Sequence, residues 1–302
     1  MLTAIIWGSA FVAQQVGMEH IGPFAFTFAR NVLALATLVP LMASGAFGTK
    51  KGSDVTPAAH AADRRAARRM LWKYGITLGL LLTAAMNLQQ IGLLYTTPGK
   101  AGFITAFYIV LIPIVLFFKG RHIAPIIWLA AVIAFVGLFL LTMDENLSVG
   151  LGELLVFICA VIYTFHIIVI ERVSPYVETI PFSAIQFGVC GFISSILMLI
   201  FEKPDVSAML NAWQSLVFAG VFSSAIAYTL QIYGQRRLSA PVASLIMSQE
   251  ASFAVLAGWI ILGHALSPRE AIGSALMFTG VILTQLPGLL ALRKAPARPP
   301  KS

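Results

Sequence analysis

The sequence predicts an all-α membrane protein with ten transmembrane helices, arranged as two inverted five-helix repeats. Of its 302 residues, 59% are hydrophobic and only 11% are charged, whereas soluble domains carry about 25% charged residues. The apolar residues fall into runs of about 17–25, the length that crosses the hydrocarbon core of a bilayer. Residues 98–140 also resemble residues 241–283 at a constant offset.

Polar turns separate the apolar runs, and several runs begin at a proline. Proline suits a first helical turn because its missing N–H group would have no intrahelical partner there. A basic hydrophilic loop is predicted at 45–73 and a polar tail at 293–302. The predicted helices are 2–17, 23–43, 74–95, 98–118, 125–143, 153–170, 181–201, 213–233, 241–262 and 270–292.

The distribution of basic residues predicts the orientation. With the N-terminus in the cytoplasm, 16 Lys and Arg residues lie in cytoplasmic loops and the tail, against 3 in outside loops. Cytoplasmic loops of membrane proteins are enriched in Lys and Arg. We therefore expect a multi-pass protein of the inner or plasma membrane with both termini cytoplasmic. The net charge of +8 then reflects topology and contact with anionic lipid, and nucleic acid is not an expected partner.

The internal repeat divides the chain into residues 1–146 and 147–292. An offset of 143 carries Pro98, Gly120 and Gly137 onto Pro241, Gly263 and Gly280; slightly different offsets carry Gly79 onto Gly220 and Gln89 onto Gln231. Because five helices per half is an odd number, the second half enters the membrane upside down. Inverted repeats are typical of secondary transporters, whose substrate sites lie between the halves near the bilayer midplane.

Four stretches carry a resemblance to a known family. They are WGSAFVAQQ at 7–15, FTFARNVLAL around Arg30, AGFITAFYIVLIPI with Pro113, and LIMSQEASFAVLAGWIILGHALSPREAIGSALMFTGVIL around Glu250. With these motifs the chain resembles the EamA family of the drug/metabolite transporter superfamily over about residues 4–290. The resemblance implies a ten-helix exporter of small metabolites such as amino acids. The chain departs from the family pattern at His264, Ala251 and Tyr163, which bears on the substrate.

Two charged residues lie within predicted helices. Glu250 is about nine residues, or roughly 13 Å, into its helix and thus near the midplane. A charge at that depth needs a partner, water or a proton, so Glu250 is either a cavity carboxylate that binds or exchanges a proton, or a structural group between helices. Arg30 lies some 10 Å below the outer surface. It either snorkels, or pairs with a substrate carboxylate or with Glu250.

Polar and aromatic residues recur at helical spacing, which puts each set on one helix face. Because lipid offers no hydrogen bonds, these faces are expected to turn inward. Together they line a cavity for small polar or amphipathic solutes, or else they bond helices to one another. His166 alone is better explained as a packed, hydrogen-bonded histidine. The residues are Trp7, Phe11, Gln14, Asn87, Gln90, Tyr163, His166, Tyr228, Gln231 and Gln249.

Other features concern packing and movement. Pro113 lies inside a predicted helix and is either a hinge or a static bend. Glycine pairs predict close helix contacts; they are Gly75 and Gly79, Gly99 and Gly102, and Gly273 and Gly280.

Several functional classes find no support in the sequence. The histidines lack metal-ligand spacing and there is no P-loop, so no metal, cofactor or enzymatic site is predicted. The expected partners are a small-molecule substrate and the lipid bilayer, and the oligomeric state is open between monomer and dimer. The alternative function is a transporter-like scaffold or lipid-handling protein without solute flux.

Overall fold

The computed structural model describes residues 1–44, 57–142, 150–203, 205–253 and 267–294, and of residues 57–64, 142 and 285–294 only the backbone. The described residues form helices and turns and contain no β-strand. The first part of the predicted loop 45–73, the second half of the predicted helix 241–262 and the end of the tail lie outside the described residues.

Ten helical stretches, labelled α1–α10, account for most of the described chain. A 3₁₀ turn at Ser174–Tyr176 follows α6, and a short helix at Val206–Asn211 precedes α8. The stretches are α1 (Leu2–Met18), α2 (Pro23–Ala43), α3 (Pro57–Gly92), α4 (Pro98–Phe118), α5 (Pro125–Thr142), α6 (Leu151–Val173), α7 (Thr179–Phe201), α8 (Trp213–Gln235), α9 (240–253, of which Ala240–Met247 is the first piece) and α10 (Pro268–Lys294).

The start predicted for the third helix, residue 74, is wrong, because α3 begins at Pro57. Residues 57–73, predicted as part of a loop, are rich in Ala and Arg. These are among the strongest helix formers, so the segment is helical although it is too polar to enter lipid.

Three helices are irregular where the sequence predicted continuous ones. α4 is interrupted by a turn at residues 106–107, and α9 by a turn at 248–249, after which residues 250–253 are helical again. The middle of α8, Phe218–Tyr228, is π-helical. Short π-helical stretches occur often at functional sites.

Side chains and glycine define the helix ends. The carboxylate of Glu202, after the end of α7, accepts hydrogen bonds from the backbone N–H groups of Phe24 and Ala25 at 2.8 Å each. It thereby caps the N-terminus of α2, where free N–H groups and the helix dipole favour an anion. Gly120 turns the chain between α4 and α5 with a φ of +75°, a conformation that glycine adopts without steric cost.

The helices pack in pairs. α5 lies along α10, and α2 lies along α7. α3 packs on α6 and α7, while α8 packs on α1 and α2. The largest buried cluster draws on helices from both halves of the chain, among them Leu82, Ile109, Leu138, Phe187 and Leu245.

Most of the predicted glycine contacts are confirmed. A Cβ atom on Gly75 or Gly79 would lie 2.8 or 2.7 Å from a side-chain carbon of α7, and one on Gly280 would lie 2.8 Å from the carbonyl oxygen of Ala130 in α5. The prediction for Gly99 and Gly102 is wrong, because Gly99 has no neighbour within 4 Å and Gly102 meets only an aromatic ring at 3.7 Å.

The contact between α5 and α10 gives a stability prediction. A Cβ on Gly137 would lie 2.6 Å from the carbonyl oxygen of Gly273, and a backbone atom cannot move aside alone. We expect Gly137→Ala to destabilise the protein by about 1–3 kcal/mol, as overpacking does, and to lower the temperature at which the detergent-purified protein loses its monodisperse chromatographic peak.

The matched control is Gly188→Ala in α7, where a Cβ would have no neighbour within 4 Å. Its stability is expected to be unchanged or slightly raised, since alanine is the better helix former. Equal melting of the two variants would contradict the close packing of α5 on α10.

The surface of the helical body is apolar. Phe192, Leu199 and Phe118 are 69%, 67% and 82% exposed, and many other large apolar side chains point outward. Patches of this extent are typical of membrane contact. Within the described residues, five helical stretches are long and apolar enough to cross a membrane, and two shorter apolar helices accompany them. The prediction of an all-α membrane protein agrees with this surface.

Candidate functional site

A central cavity lies where seven helices meet, beside the interruptions in α4 and α9. Its wall combines one arginine, one carboxylate, amides, hydroxyls and aromatic rings. The lining residues are Trp7, Ala10, Phe11, Gln14, Arg30, Gln89, Thr105, Tyr108, Tyr163, Ile167, Ser223, Tyr228, Gln231, Met247 and Glu250.

Arg30 is held in the cavity wall by neutral groups. Its side chain is only 3% exposed, so the snorkelling interpretation is wrong. Nε donates to the hydroxyl of Ser224 at 3.1 Å, Nη1 to the side-chain oxygen of Gln14 at 3.0 Å, and Nη2 to the hydroxyl of Ser223 at 3.1 Å. These bonds use three of the five N–H donors of a guanidinium and leave two for another acceptor.

The π-helical segment of α8 supplies much of this arrangement. It carries Ser223 and Ser224, and the backbone oxygen of Ser223 accepts a hydrogen bond from Nε1 of Trp7 at 3.1 Å. A carbonyl oxygen has two lone pairs and can accept this bond in addition to one within the helix. The segment therefore fixes the positions of both Arg30 and Trp7.

Aromatic rings form the wall next to Arg30. The rings of Trp7 and Tyr228 lie 4.7 Å apart between centroids, and the hydroxyls of Tyr228 and Tyr163 lie 2.9 Å apart. Phe187 packs edge-on against Tyr228 from behind. These contacts hold the rings in the cavity wall, and aromatic rings suit an apolar or cationic group.

Glu250 begins the second helical piece of α9 and is 4% exposed. Among the described residues its carboxylate has no hydrogen bond or ion pair, and the one ion pair there joins Arg121 to Glu171. Arg30 and Glu250 thus share a cavity without direct contact. Tyr108, whose enclosed hydroxyl has no hydrogen-bond partner in the described part of the chain, lines the same space.

Four of the residues predicted from the polar stripes do not line the cavity, and three of them bond to neighbouring helices. Asn87 donates to Ser194 at 3.0 Å, His166 lies 2.9 Å from the side-chain oxygen of Gln186, and Gln249 donates to the backbone oxygen of Met277 at 3.0 Å. Gln90 is buried with its amide nitrogen unpaired. Pro113 lies in the second piece of α4 after the interruption at 106–107, and its role as a hinge stays a prediction.

Some lining residues escaped the sequence analysis although the repeat contained a signal for them. Gln89 was matched with Gln231, and both line the cavity. The offset of 143 carries Glu250 onto residue 107, next to Tyr108. Thr105, Ser223 and Met247 left no comparable signal, because helical spacing alone did not reveal the irregular backbone around them.

The cavity is small in this conformation. Its volume is about 50 Å³, which is enough for a few water molecules and far below the roughly 300–1,000 Å³ of a ligand pocket. The described helices therefore leave little free volume at the site.

Comparison with known proteins identifies the chain. The model of the EamA-like transporter family matches residues 1–143 and 150–286. The chain belongs to the EamA-like transporter family. This family is part of the drug/metabolite transporter superfamily.

Two further similarities agree with this membership. An uncharacterized transporter of Archaeoglobus fulgidus is 26% identical over 292 residues, covering 94% of this chain and 84% of that protein. A protein of known crystal structure has a similar fold, with a TM-score of 0.71 at 19% identity, covering 97% of this chain and 96% of the other. The EamA-like chain is thus a multi-pass membrane transporter with a small-molecule substrate.

Proposed function

We propose that the protein exports small polar or amphipathic, amino-acid-like solutes by alternating access, with proton coupling through Glu250. The observation that carries this proposal is that Arg30 and Glu250 share one cavity without pairing. Two opposite buried charges without a direct contact are costly, and a zwitterionic substrate between them would neutralise both.

The chemistry of the wall indicates the substrate class. Arg30 has two free N–H donors for a carboxylate, Glu250 accepts from an ammonium group, and the rings of Trp7, Phe11 and Tyr228 suit an apolar side chain. Gln89 and Gln231 add amides for polar substituents.

Symmetric features support two inverted repeats of five helices, residues 1–146 and 147–292, with ten membrane spans and the tail 293–302. The main helix contacts are the same in both halves when α1–α5 are taken as equivalent to α6–α10. α3 contacts α6 and α7, and its equivalent α8 contacts α1 and α2, which are the equivalents of α6 and α7. The predicted equivalents also correspond. Gly79 and Gly220 each approach a backbone oxygen of the neighbouring helix, Gln186 and Arg30 respectively, at 3.1 and 2.8 Å from an added Cβ.

The interrupted helices support alternating access. Turns at 106–107 in α4 and 248–249 in α9 fall at nearly equivalent positions in the repeat, and both lie next to the cavity. Discontinuous helices commonly form the substrate sites of secondary transporters. A site of about 50 Å³ must widen before a solute enters, and rotation of the helix pieces about these turns would widen it.

Flux in proteoliposomes tests the proposal. We expect at least one zwitterionic amino acid, among a panel of amino acids, sugars, nucleosides and cationic drugs, to be accumulated under an imposed pH gradient. Flux that ignores the gradient would remove proton coupling and leave a facilitator. Absence of flux for the whole panel, from folded protein, would favour the scaffold or lipid-handling alternative and contradict the substrate class.

A further inference from the structure

A second cavity lies behind α8, on the face opposite the central site. Its volume is about 410 Å³, and it is bounded by the C-terminal ends of α2 and α8 and the N-terminus of α7. Tyr228 and Gln231 face the central cavity, whereas Ile226 and Leu230 face this groove. The groove is thus distinct from the transport site, although both share α8.

The groove is apolar along its length and charged at its rim. Leu38, Ile180 and Leu230 contribute to the apolar wall, and Glu178 and Arg236 both reach the same cavity. Within the described part of the chain, neither of these two charges takes part in an ion pair or a side-chain hydrogen bond. An adjoining cavity of about 340 Å³ shares Arg236 and adds Arg237.

The N-terminus of α7 adds polar groups to the rim. Among the described residues the enclosed hydroxyl oxygen of Thr179 has no hydrogen-bond partner, and the N-cap residue Glu178 makes no side-chain cap. At the N-terminus of α2, which is the counterpart of α7 in the proposed repeat, the carboxylate of Glu202 fills this role. An anionic group next to Thr179 and Arg236 would cap the N-terminus of α7, as the carboxylate of Glu202 caps that of α2.

We propose that this groove binds a phospholipid with a primary ammonium headgroup, that is, phosphatidylethanolamine. Its phosphate contacts Arg236, Arg237 and the hydroxyl of Thr179, its ammonium contacts Glu178, and an acyl chain covers the apolar wall. Glu178 favours a headgroup that carries an ammonium over a purely anionic one. A quaternary choline headgroup cannot donate a hydrogen bond to Glu178. In the proposed topology the rim faces the cytoplasmic leaflet.

Native mass spectrometry of delipidated protein, titrated with phosphatidylethanolamine, phosphatidylglycerol or phosphatidylcholine, tests this site. We expect one bound phosphatidylethanolamine with about tenfold tighter binding than phosphatidylcholine, since a charge-assisted hydrogen bond contributes about that factor. Arg236→Gln should weaken phosphatidylethanolamine binding about tenfold. Glu178→Gln should remove the preference over phosphatidylglycerol.

Arg172→Gln is the matched control, because Arg172 is an exposed arginine at the end of α6 outside the groove. Its lipid binding is expected to equal that of the wild type. Equal binding of all three lipids, tighter binding of phosphatidylglycerol than of phosphatidylethanolamine, or equal losses in Arg236→Gln and Arg172→Gln would each overturn the assignment. None of these measurements depends on solute flux, so the site is tested separately from the proposed transport activity.

Discussion

Glu250→Gln is expected to abolish gradient-driven accumulation of substrate while the protein remains folded. The amide has nearly the shape of the carboxylate, and the carboxylate has no hydrogen bond or ion pair among the described residues, so the substitution removes no structural contact. It does remove the group that would exchange a proton and accept from a substrate ammonium. We expect substrate accumulation under a pH gradient to fall at least tenfold, because the loss of one charge-assisted hydrogen bond weakens binding by about that factor.

The measurement compares wild type, Glu250→Gln and Glu19→Gln in proteoliposomes, with and without a pH gradient. Glu19 is an exposed carboxylate after the end of α1, so its substitution controls for the loss of a negative charge. Substrate exchange at equal pH should persist in Glu250→Gln and should no longer vary with pH. Wild-type accumulation with unchanged pH dependence in this variant would refute a coupling role for Glu250.

The periodicity of the sequence predicted the helices well but left the rotation of each helix uncertain. Gln89 and Gln90 are adjacent, and only about 100° of rotation separates them. The polar spacing selected Gln90, whereas the structure turns Gln89 to the cavity, where it bonds to Thr105 at 3.0 Å. Packing of α3 on α6 and α7 decides this rotation, and such contacts between distant segments leave no local signal in the sequence.

Irregular backbone was the other feature that sequence reasoning missed. No glycine or proline marks the turn at 248–249, and Pro113 comes well after the turn at 106–107. The π-helical stretch of α8 likewise has an ordinary apolar sequence. The π-helical stretch occurs where the side chains of Arg30 and Trp7 bond to α8, and the two turns lie beside the central cavity. Tertiary contacts therefore account for them better than local propensity.

Arg30→Lys is expected to impair recognition of the substrate carboxylate. The guanidinium donates hydrogen bonds to Gln14, Ser223 and Ser224 at once. The lysine side chain is shorter and its ammonium group lacks the planar arrangement of donors, so it cannot make the same three bonds. Buried acceptors left unpaired cost about 1–3 kcal/mol each, so we expect a lower melting temperature as well as at least tenfold lower uptake efficiency. The control is Arg172→Lys, which changes an exposed arginine far from this hydrogen-bond network.

Analogues of the transported amino acid separate recognition from general damage to the site. If Arg30 binds the carboxylate and Glu250 the ammonium, Arg30→Lys should raise the KM for the amino acid and leave uptake of the decarboxylated amine less affected. Glu250→Gln should affect the amine more than the deaminated acid. If Arg30→Lys lowers uptake of the decarboxylated amine and of the deaminated acid equally, Arg30 is a structural residue that shapes the cavity wall. The two variants should thus differ in which analogue they affect more, because the carboxylate and the ammonium of the substrate bind to separate charges. A purely structural role for Arg30 or Glu250 would not produce this difference.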